Sequence, residues 1–159
     1  MVSLDWKWLF IYPGEQIASI GQLVVPVGAP VHFRLTSSSV MNSLFVPQLG
    51  SQIYTMAGMT TQLNLQADDL GSYPGISAQF SGEGFSDMRF DVKAVSTEDY
   101  RSWVQSVRAH GGLLDSARYA ELMRPSINDS PTTFGTVRPR LFEAIVSGRG
   151  SYSSSAGAR

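Results

Sequence analysis

Apolar and polar residues alternate with a period of two over much of the first 95 residues, which is typical of half-buried β-strands. In the run 31–36, Val31, Phe33 and Leu35 are predicted to point inward and the residues between them outward. Similar short runs recur at near-regular spacing, separated by Gly, Pro and Ser; they cover 4–12, 17–25, 43–46, 53–59, 61–66 and 89–95. This pattern predicts a mainly β domain over residues 1–95, an antiparallel Greek-key sandwich or barrel.

The first predicted strand, residues 4–12, is unusually aromatic and ends at the turn signal Pro13-Gly14. In a strand, alternate residues share a face, and one face would carry Trp6, Trp8, Phe10 and Tyr12. That face either packs into the core or forms a surface for a protein partner, because Trp and Tyr are enriched at interfaces. The sequence leaves both alternatives open.

The apolar period changes to three and four after Ser96, and this predicts a helical, aromatic-rich extension over residues 96–147. Ser96 or Thr97 is expected to cap the first helix, Asp115 the second, and Pro139 to open the third. The predicted apolar stripes are Tyr100, Trp103, Val104 and Val107, then Tyr119, Leu122 and Met123, then Leu141, Phe142, Ile145 and Val146.

Two segments of this second half are expected to lack regular structure. Residues 126–133 are polar and are expected to form a loop. The final stretch, residues 148–159, is rich in Ser and Gly and is expected to be a disordered tail.

Composition narrows the classes of function. The 159 residues are 43% hydrophobic and 16% charged with a formal net charge of -1, so a soluble globular domain is expected and nucleic acid is not an expected partner. No apolar run approaches the roughly 20 residues that span a bilayer. The two histidines, His32 and His110, belong to no ligand-spaced cluster, and no nucleophile has a candidate base near it in sequence. No catalytic residue is therefore expected in this chain by itself.

The most informative stretch is the loop 77–88, SAQFSGEGFSDM. Its polar residues stand four apart and are followed by Gly, an aromatic residue and Met, which is the frame of a metal-binding loop. The loop nevertheless contains neither Cys nor His, and the whole chain has no cysteine. Structural disulfides, thiolate metal sites and thiol nucleophiles are thereby excluded.

The order of the aromatic strand, the segment 40–50 and the loop 77–88 resembles subunit II of the haem–copper respiratory oxidases. In the cytochrome c oxidase branch of that family the loop reads C-x-E-x-C-G-x-x-H-x-x-M. An upstream segment, V-x-H-S-F/W-x-x-P-x-x-G, supplies another histidine. In that branch these ligands hold a dinuclear copper centre in a cupredoxin domain, so the resemblance implies a cupredoxin-like fold here.

When the family pattern is laid on this chain without a gap, most ligand positions carry other residues. The two Cys positions fall on Ser77 and Ser81, and the Glu, which binds through its backbone carbonyl, on Gln79. The loop histidine falls on Phe85 and the upstream histidine on Asn42, whereas Met88 is retained. Bridging copper requires soft thiolate and imidazole ligands, so neither a metal nor another cofactor is expected in this chain.

Within the family, the sequence resembles subunit II of the bo-type ubiquinol oxidases. The resemblance rests on LDWKW at 4–8, VMNS at 40–43, LGSQIY at 49–54 and GISA at 75–78. It implies the excised periplasmic domain of a subunit anchored in the bacterial inner membrane by two N-terminal transmembrane helices that this chain lacks. The complex oxidises ubiquinol, reduces oxygen and pumps protons. Its haems and remaining copper are expected in subunit I.

The resemblance also implies partners. Subunit I and the other oxidase subunits are expected to contact this domain, whereas no cytochrome c is needed when quinol delivers the electrons. The copper end of the domain faces subunit I in the family, so the predicted interface residues are Trp6, Trp8, Asn42, Phe45 and Phe85. Two alternatives remain open: a copper-binding electron-transfer domain of a cytochrome c oxidase, or a free-standing periplasmic β-sandwich binding module.

Overall fold

The protein is described here by a computed structural model, which covers residues 1–38, 40–77, 88–126 and 131–148. Its strands are β1 Val2–Leu4, β2 Lys7–Tyr12, β3 Ile17–Ile20, β4 Gln22–Pro26, β5 Val31–Ser37, β6 Asn42–Val46, β7 Ser51–Thr55, β8 Thr61–Leu65, β9 Gly71–Ser77, β10 Arg89–Val95, β11 Gly112–Leu114 and β12 Thr132–Val137. Its helices are α1 Thr97–His110, α2 Ser116–Leu122 and α3 Leu141–Val146, with a short 3-10 turn at Pro47–Leu49. The predicted mainly β fold with a helical extension is confirmed.

The strands form two sheets. One has the order β11-β12-β3-β2-β1-β5-β8 and the other the order β4-β10-β9-β6-β7. Most neighbours are antiparallel, but β1 lies parallel to β5 and β4 lies parallel to β10. Strands distant in sequence therefore lie side by side, as in a Greek-key sandwich.

The main core lies between the two sheets and takes its largest side chains from β2. Trp8 and Phe10 are buried, and both rings pack against Phe90 of β10, with centroid distances of 5.6 and 5.2 Å. Trp6 and Tyr12 are partly buried and pack against the same cluster. The aromatic face of this strand was predicted either to pack into the core or to form a surface for a partner. The observed packing corresponds to the first alternative.

A second core covers the opposite face of β1, β2 and β3. Leu9 and Ile20 pack there with Tyr119, Phe134 and Leu141 of the C-terminal extension. One face of β2 packs against the other sheet, and its opposite face packs against the C-terminal extension. Both faces of β2 are therefore largely apolar. Hydrogen bonds also join the layers at the edge, where the Lys7 ammonium donates to the Arg124 carbonyl at 2.9 Å and to the Ser126 hydroxyl.

The extension also continues the larger sheet. β12 pairs antiparallel with β3, with Thr132 opposite Ile20 and Phe134 opposite Ala18, and β11 pairs with β12. The prediction of a polar loop over residues 126–133 is therefore wrong at its end, because Thr132 and Thr133 belong to β12. Thr132 and Thr133 are polar and so matched a loop, although β-branched residues suit a strand.

Two of the three described helices begin at the residues predicted from the sequence, and the third does not. The Ser96 hydroxyl accepts from the Asp99 amide at 3.1 Å, and the Asp115 carboxylate accepts from the Arg118 amide at 2.8 Å. Pro139 does not open α3, which begins at Leu141 after Arg140 in the left-handed conformation.

Three smaller expectations concern single residues and the tail. Met123 is 37% exposed and lies outside the buried stripe of α2. His32 and His110 are exposed. Residues 149–159 of the expected tail lie outside the described residues.

Among the helices of the described segments, none has both the length and the apolar character that crossing a membrane requires.

Candidate functional site

Two former ligand positions, Asn42 and Ser77, meet at one end of the sandwich. Asn42 begins β6 and Ser77 ends β9, and these strands are antiparallel neighbours, with Leu44 opposite Ser77. The Ser77 hydroxyl donates to the Asn42 amide oxygen at 3.1 Å. Both side chains are buried, with exposures of 3% and 1%. Two positions 35 residues apart therefore form one buried hydrogen bond.

The bond belongs to a larger cluster of buried polar groups. The Asn42 amide nitrogen donates to the Val40 carbonyl at 3.3 Å, and the Asn42 carbonyl accepts from the Thr55 hydroxyl at 3.5 Å. The hydroxyls of Thr55 and Ser3 share a bond of 2.8 Å. Sequence reasoning missed Ser3 and Thr55, because small hydroxyl residues at strand ends carry no signal of their own. Buried polar groups are stable only when paired, and this cluster is paired internally.

Met88, the retained position of the copper-loop pattern, is a core residue. Its exposure is 1%, and its side chain belongs to the main core with Trp8, Leu44 and Phe90. Its carbonyl accepts from the Ser77 amide at 3.3 Å, which joins the end of β9 to the start of β10. Packing alone accounts for an apolar, flexible side chain at this position.

The donor set at this end does not fit a dinuclear copper centre. Among the described residues it consists of the Ser77 hydroxyl, the Asn42 carboxamide and the Met88 thioether, whereas bridging copper requires thiolates and imidazoles. Across the described segments, no group of three or more His, Cys, Asp or Glu side chains is placed to hold a metal ion. The remaining positions of the family's ligand pattern, Gln79, Ser81 and Phe85, lie outside the described residues.

Exposed apolar side chains lie around the same end of the sandwich. We call the set of Val40, Met41, Tyr54 and Met59 the loop-end patch; their exposures are 43%, 40%, 49% and 54%. Contacts of Ser37 bring its segments together, since the Ser37 hydroxyl donates to the Val40 carbonyl and the Ser37 backbone forms a β-bridge with Ala57. Clustered exposed apolar residues are a common feature of protein-binding surfaces.

The predicted interface residues divide by exposure. Trp6 and Phe45 are partly accessible, so each can contribute to a surface. Trp8 and Asn42 are 0% and 1% exposed, so both side chains are buried within this chain. Trp8 packs in the main core, and Asn42 hydrogen-bonds Ser77 and Val40, so the role of all five residues at an interface stays a prediction. Phe85 lies outside the described residues.

Two family profiles match the chain. The profile described as "Cytochrome C oxidase subunit II, periplasmic domain" matches residues 10–95, which is more than half of the chain. The profile described as "COX Aromatic Rich Motif" matches residues 108–148 in the extension.

Curated relatives carry quinol oxidase names. Cytochrome bo(3) ubiquinol oxidase subunit 2 of Pseudomonas aeruginosa is 52% identical over 145 residues, which cover 91% of this chain and 44% of the relative. Ubiquinol oxidase subunit 2 of Acetobacter aceti is 51% identical over 146 residues, covering 92% of this chain and 47% of the relative. The chain thus spans about half the length of the curated relatives it matches.

A solved structure supports the fold. The crystal structure of the periplasmic domain of subunit II of cytochrome oxidase of Bradyrhizobium japonicum aligns with a TM-score of 0.63 at 20% identity, covering 66% of this chain and 88% of that one. The likeness confirms the expected cupredoxin-like sandwich. Profile, relatives and fold agree: the chain belongs to the family of the periplasmic domain of cytochrome c oxidase subunit II, and its resemblance to the subunit of the bo-type ubiquinol oxidases is confirmed.

Proposed function

We propose that this chain is the periplasmic domain of subunit II of a ubiquinol oxidase, with a structural role and no copper relay. It covers the periplasmic face of subunit I and supports assembly of the complex. The Ser77–Asn42 hydrogen bond carries the proposal, because it joins two positions that hold copper ligands in the cytochrome c oxidase branch. Side chains that bond each other in a buried site are not available to a metal.

The chemistry of the electron donor explains why a relay is dispensable. A quinol oxidase takes electrons from ubiquinol within the membrane, so no electron has to arrive from a soluble protein at this domain. The haems, the remaining copper and the residues that react with quinol and oxygen are then all carried by subunit I. This chain contributes to the oxidase activity only as part of the complex.

Copper binding tests the absence of a relay. Equilibrium dialysis against micromolar Cu(II) should leave no copper on the chain after a weak chelator is added. The matched control is the quadruple variant Asn42→His, Ser77→Cys, Ser81→Cys and Phe85→His, with Gln79→Glu as an option, which restores the soft ligands. Two copper ions retained per unmodified chain would contradict the proposal, whereas retention by the variant alone supports it.

The loop-end patch is the proposed contact with subunit I. In the complete oxidase, Met59→Asp should reduce the amount of subunit II that co-purifies with subunit I, because a carboxylate would be desolvated at an apolar contact. Quinol oxidase activity should fall in parallel.

Leu70→Asp is the matched control for this experiment. Leu70 is 66% exposed and directly precedes β9, whereas Ser77 ends that strand. Seven residues of strand separate the two ends by roughly 20 Å, so Leu70 lies at the opposite end of the domain. Equal assembly of both variants would contradict the proposed contact.

A further inference from the structure

A cleft of about 650 Å³ opens between the sandwich and the C-terminal extension. Its volume lies within the roughly 300–1,000 Å³ of small-molecule sites, which often form where two structural units meet. Apolar side chains from both units line it, among them Leu23, Val25, Phe33, Val137, Pro139 and Leu141. The cleft is separate from the loop-end patch and from the described former copper positions Asn42, Ser77 and Met88, since none of those residues lines it.

Charge at the cleft is predominantly positive. Arg34, Arg138 and Arg140 line it, whereas Glu143 is the one acidic residue among the lining residues that the structure describes. The Arg34 guanidinium lies 4.8 Å from the centroid of the Phe142 ring, and its Nη1 lies 3.4 Å from Glu143 Oε1. Arg34 belongs to β5 and Glu143 to α3, so this contact joins the two walls.

Several polar groups of the cleft already have partners, among them Arg138, whose Nη1 donates to the Ser116 hydroxyl at 2.7 Å. The Tyr12 hydroxyl lies 2.9 Å from both the carbonyl oxygen and the amide nitrogen of Val24. Burial raises the pKa of Tyr12, so the phenol stays neutral and does not repel an anion. The His32 ring bonds the Asn64 side chain at 2.7 Å. Recognition of a charged ligand in the cleft therefore depends on the arginines.

We propose that this cleft binds an amphipathic anion, namely an acyl chain that ends in a carboxylate or phosphate group. The apolar walls match the chain and the arginines match the end group, since guanidinium groups bind carboxylate and phosphate oxygens by charge-assisted hydrogen bonds. A free fatty acid and a membrane phospholipid both have this chemistry. A ligand in this position contacts both walls, so it links the extension to the sandwich.

Palmitate below its micelle concentration is the first probe, and hexadecanol is its neutral counterpart. Isothermal titration should give saturable binding of one palmitate per chain and an affinity for hexadecanol about tenfold weaker, because the alcohol lacks the charged end group. Palmitate should also raise the unfolding temperature, since a ligand that binds only the folded state stabilises it. Binding without saturation, or equal affinity for both probes, would overturn the proposal.

Arg140 offers a substitution that spares the fold. Its φ of 59° is favourable for glycine, so Arg140→Gly removes the guanidinium without straining the backbone. Affinity for palmitate should fall about tenfold in Arg140→Gly and remain within twofold in Arg140→Lys. Arg101→Ala, an exposed α1 residue outside the cleft, is the control and should bind as the unmodified chain does. Unchanged affinity in Arg140→Gly would contradict the proposed role of the arginines.

Vesicles distinguish the two sources of the ligand. If the source is a phospholipid, the unmodified chain should sediment with phosphatidylglycerol vesicles and Arg140→Gly should do so less. If the source is a free fatty acid, palmitate should bind while the vesicles leave the chain in the supernatant. Absence of binding to both probes would refute the site.

Discussion

Asn42 and Ser77 show how positions that hold metal ligands in related proteins can be filled by groups that satisfy each other. A hydroxyl and a carboxamide are small and polar, so they need hydrogen-bond partners when they are buried. Here each is a partner of the other at 3.1 Å. The sequence placed these residues together only through a family resemblance, because strand pairing over 35 residues has no local signature.

Removing the Ser77 hydroxyl should therefore destabilise the fold. Ser77→Ala leaves the buried amide oxygen of Asn42 without this donor, and we expect a loss of about 1–3 kcal/mol in the free energy of unfolding. Urea denaturation of the isolated chain measures the change. Ser72→Ala is the control, because Ser72 is exposed on the same strand and its replacement should change stability by no more than about 0.5 kcal/mol. Equal stability of the two variants would show that the bond contributes nothing.

At the scale of elements, most strands of the sandwich and the capped helices were predictable, whereas β9, β11 and β12 were not. Residues 71–75 were expected to be a turn because of their Gly and Pro, but they belong to β9. Alternation and caps are local signals, and Ser96 and Asp115 are caps of the expected kind. β12 instead depends on two distant elements, since it pairs with β3 and packs against the end of α1. Gly135 permits that packing: a Cβ atom there would lie 2.5 Å from the carbonyl oxygen of Val107.

Gly135→Ala should consequently separate α1 from β12. The added methyl group meets backbone atoms, which cannot move as a flexible side chain can, so we expect a loss of about 1–3 kcal/mol. Thermal unfolding should show a decrease of several degrees for a chain of this size. Gly14→Ala is the matched control, because a Cβ atom at Gly14 meets nothing within 4 Å. A decrease of equal size in both variants would indicate a general effect of losing a glycine.

At the scale of the whole molecule, a boundary was expected at residue 95 between the sandwich and the C-terminal extension. The seven-stranded sheet contains strands from both sides of that position. β12 covers the outer edge of β3, and the residues of the second core lie on both sides of the boundary. Sequence reasoning could not find this continuity, because the apolar residues on the second face of β1–β3 have their partners about 100 residues away. The boundary itself stays a prediction.

A chain that ends at Val95 should therefore self-associate. It exposes the edge of β3 and the apolar face of β1–β3, and both features favour aggregation. Size-exclusion chromatography should show oligomers or precipitation for this truncation. A chain that ends at Gly148 keeps every described helix and strand and should elute as the unmodified chain does. A monomeric, folded 1–95 fragment would show that the extension is dispensable for the sandwich.

The double coverage of β2 has a consequence for how this family is recognised. An ordinary sandwich strand tolerates polar substitutions at every second position, because one face meets water. Residues 7–10 of β2 are all buried, so substitution should be restricted at consecutive positions. The LDWKW motif that helped to place this chain overlaps that stretch. A sequence motif can thus mark positions where burial restricts the side chains that fit, even when these positions bind no ligand and catalyse no reaction.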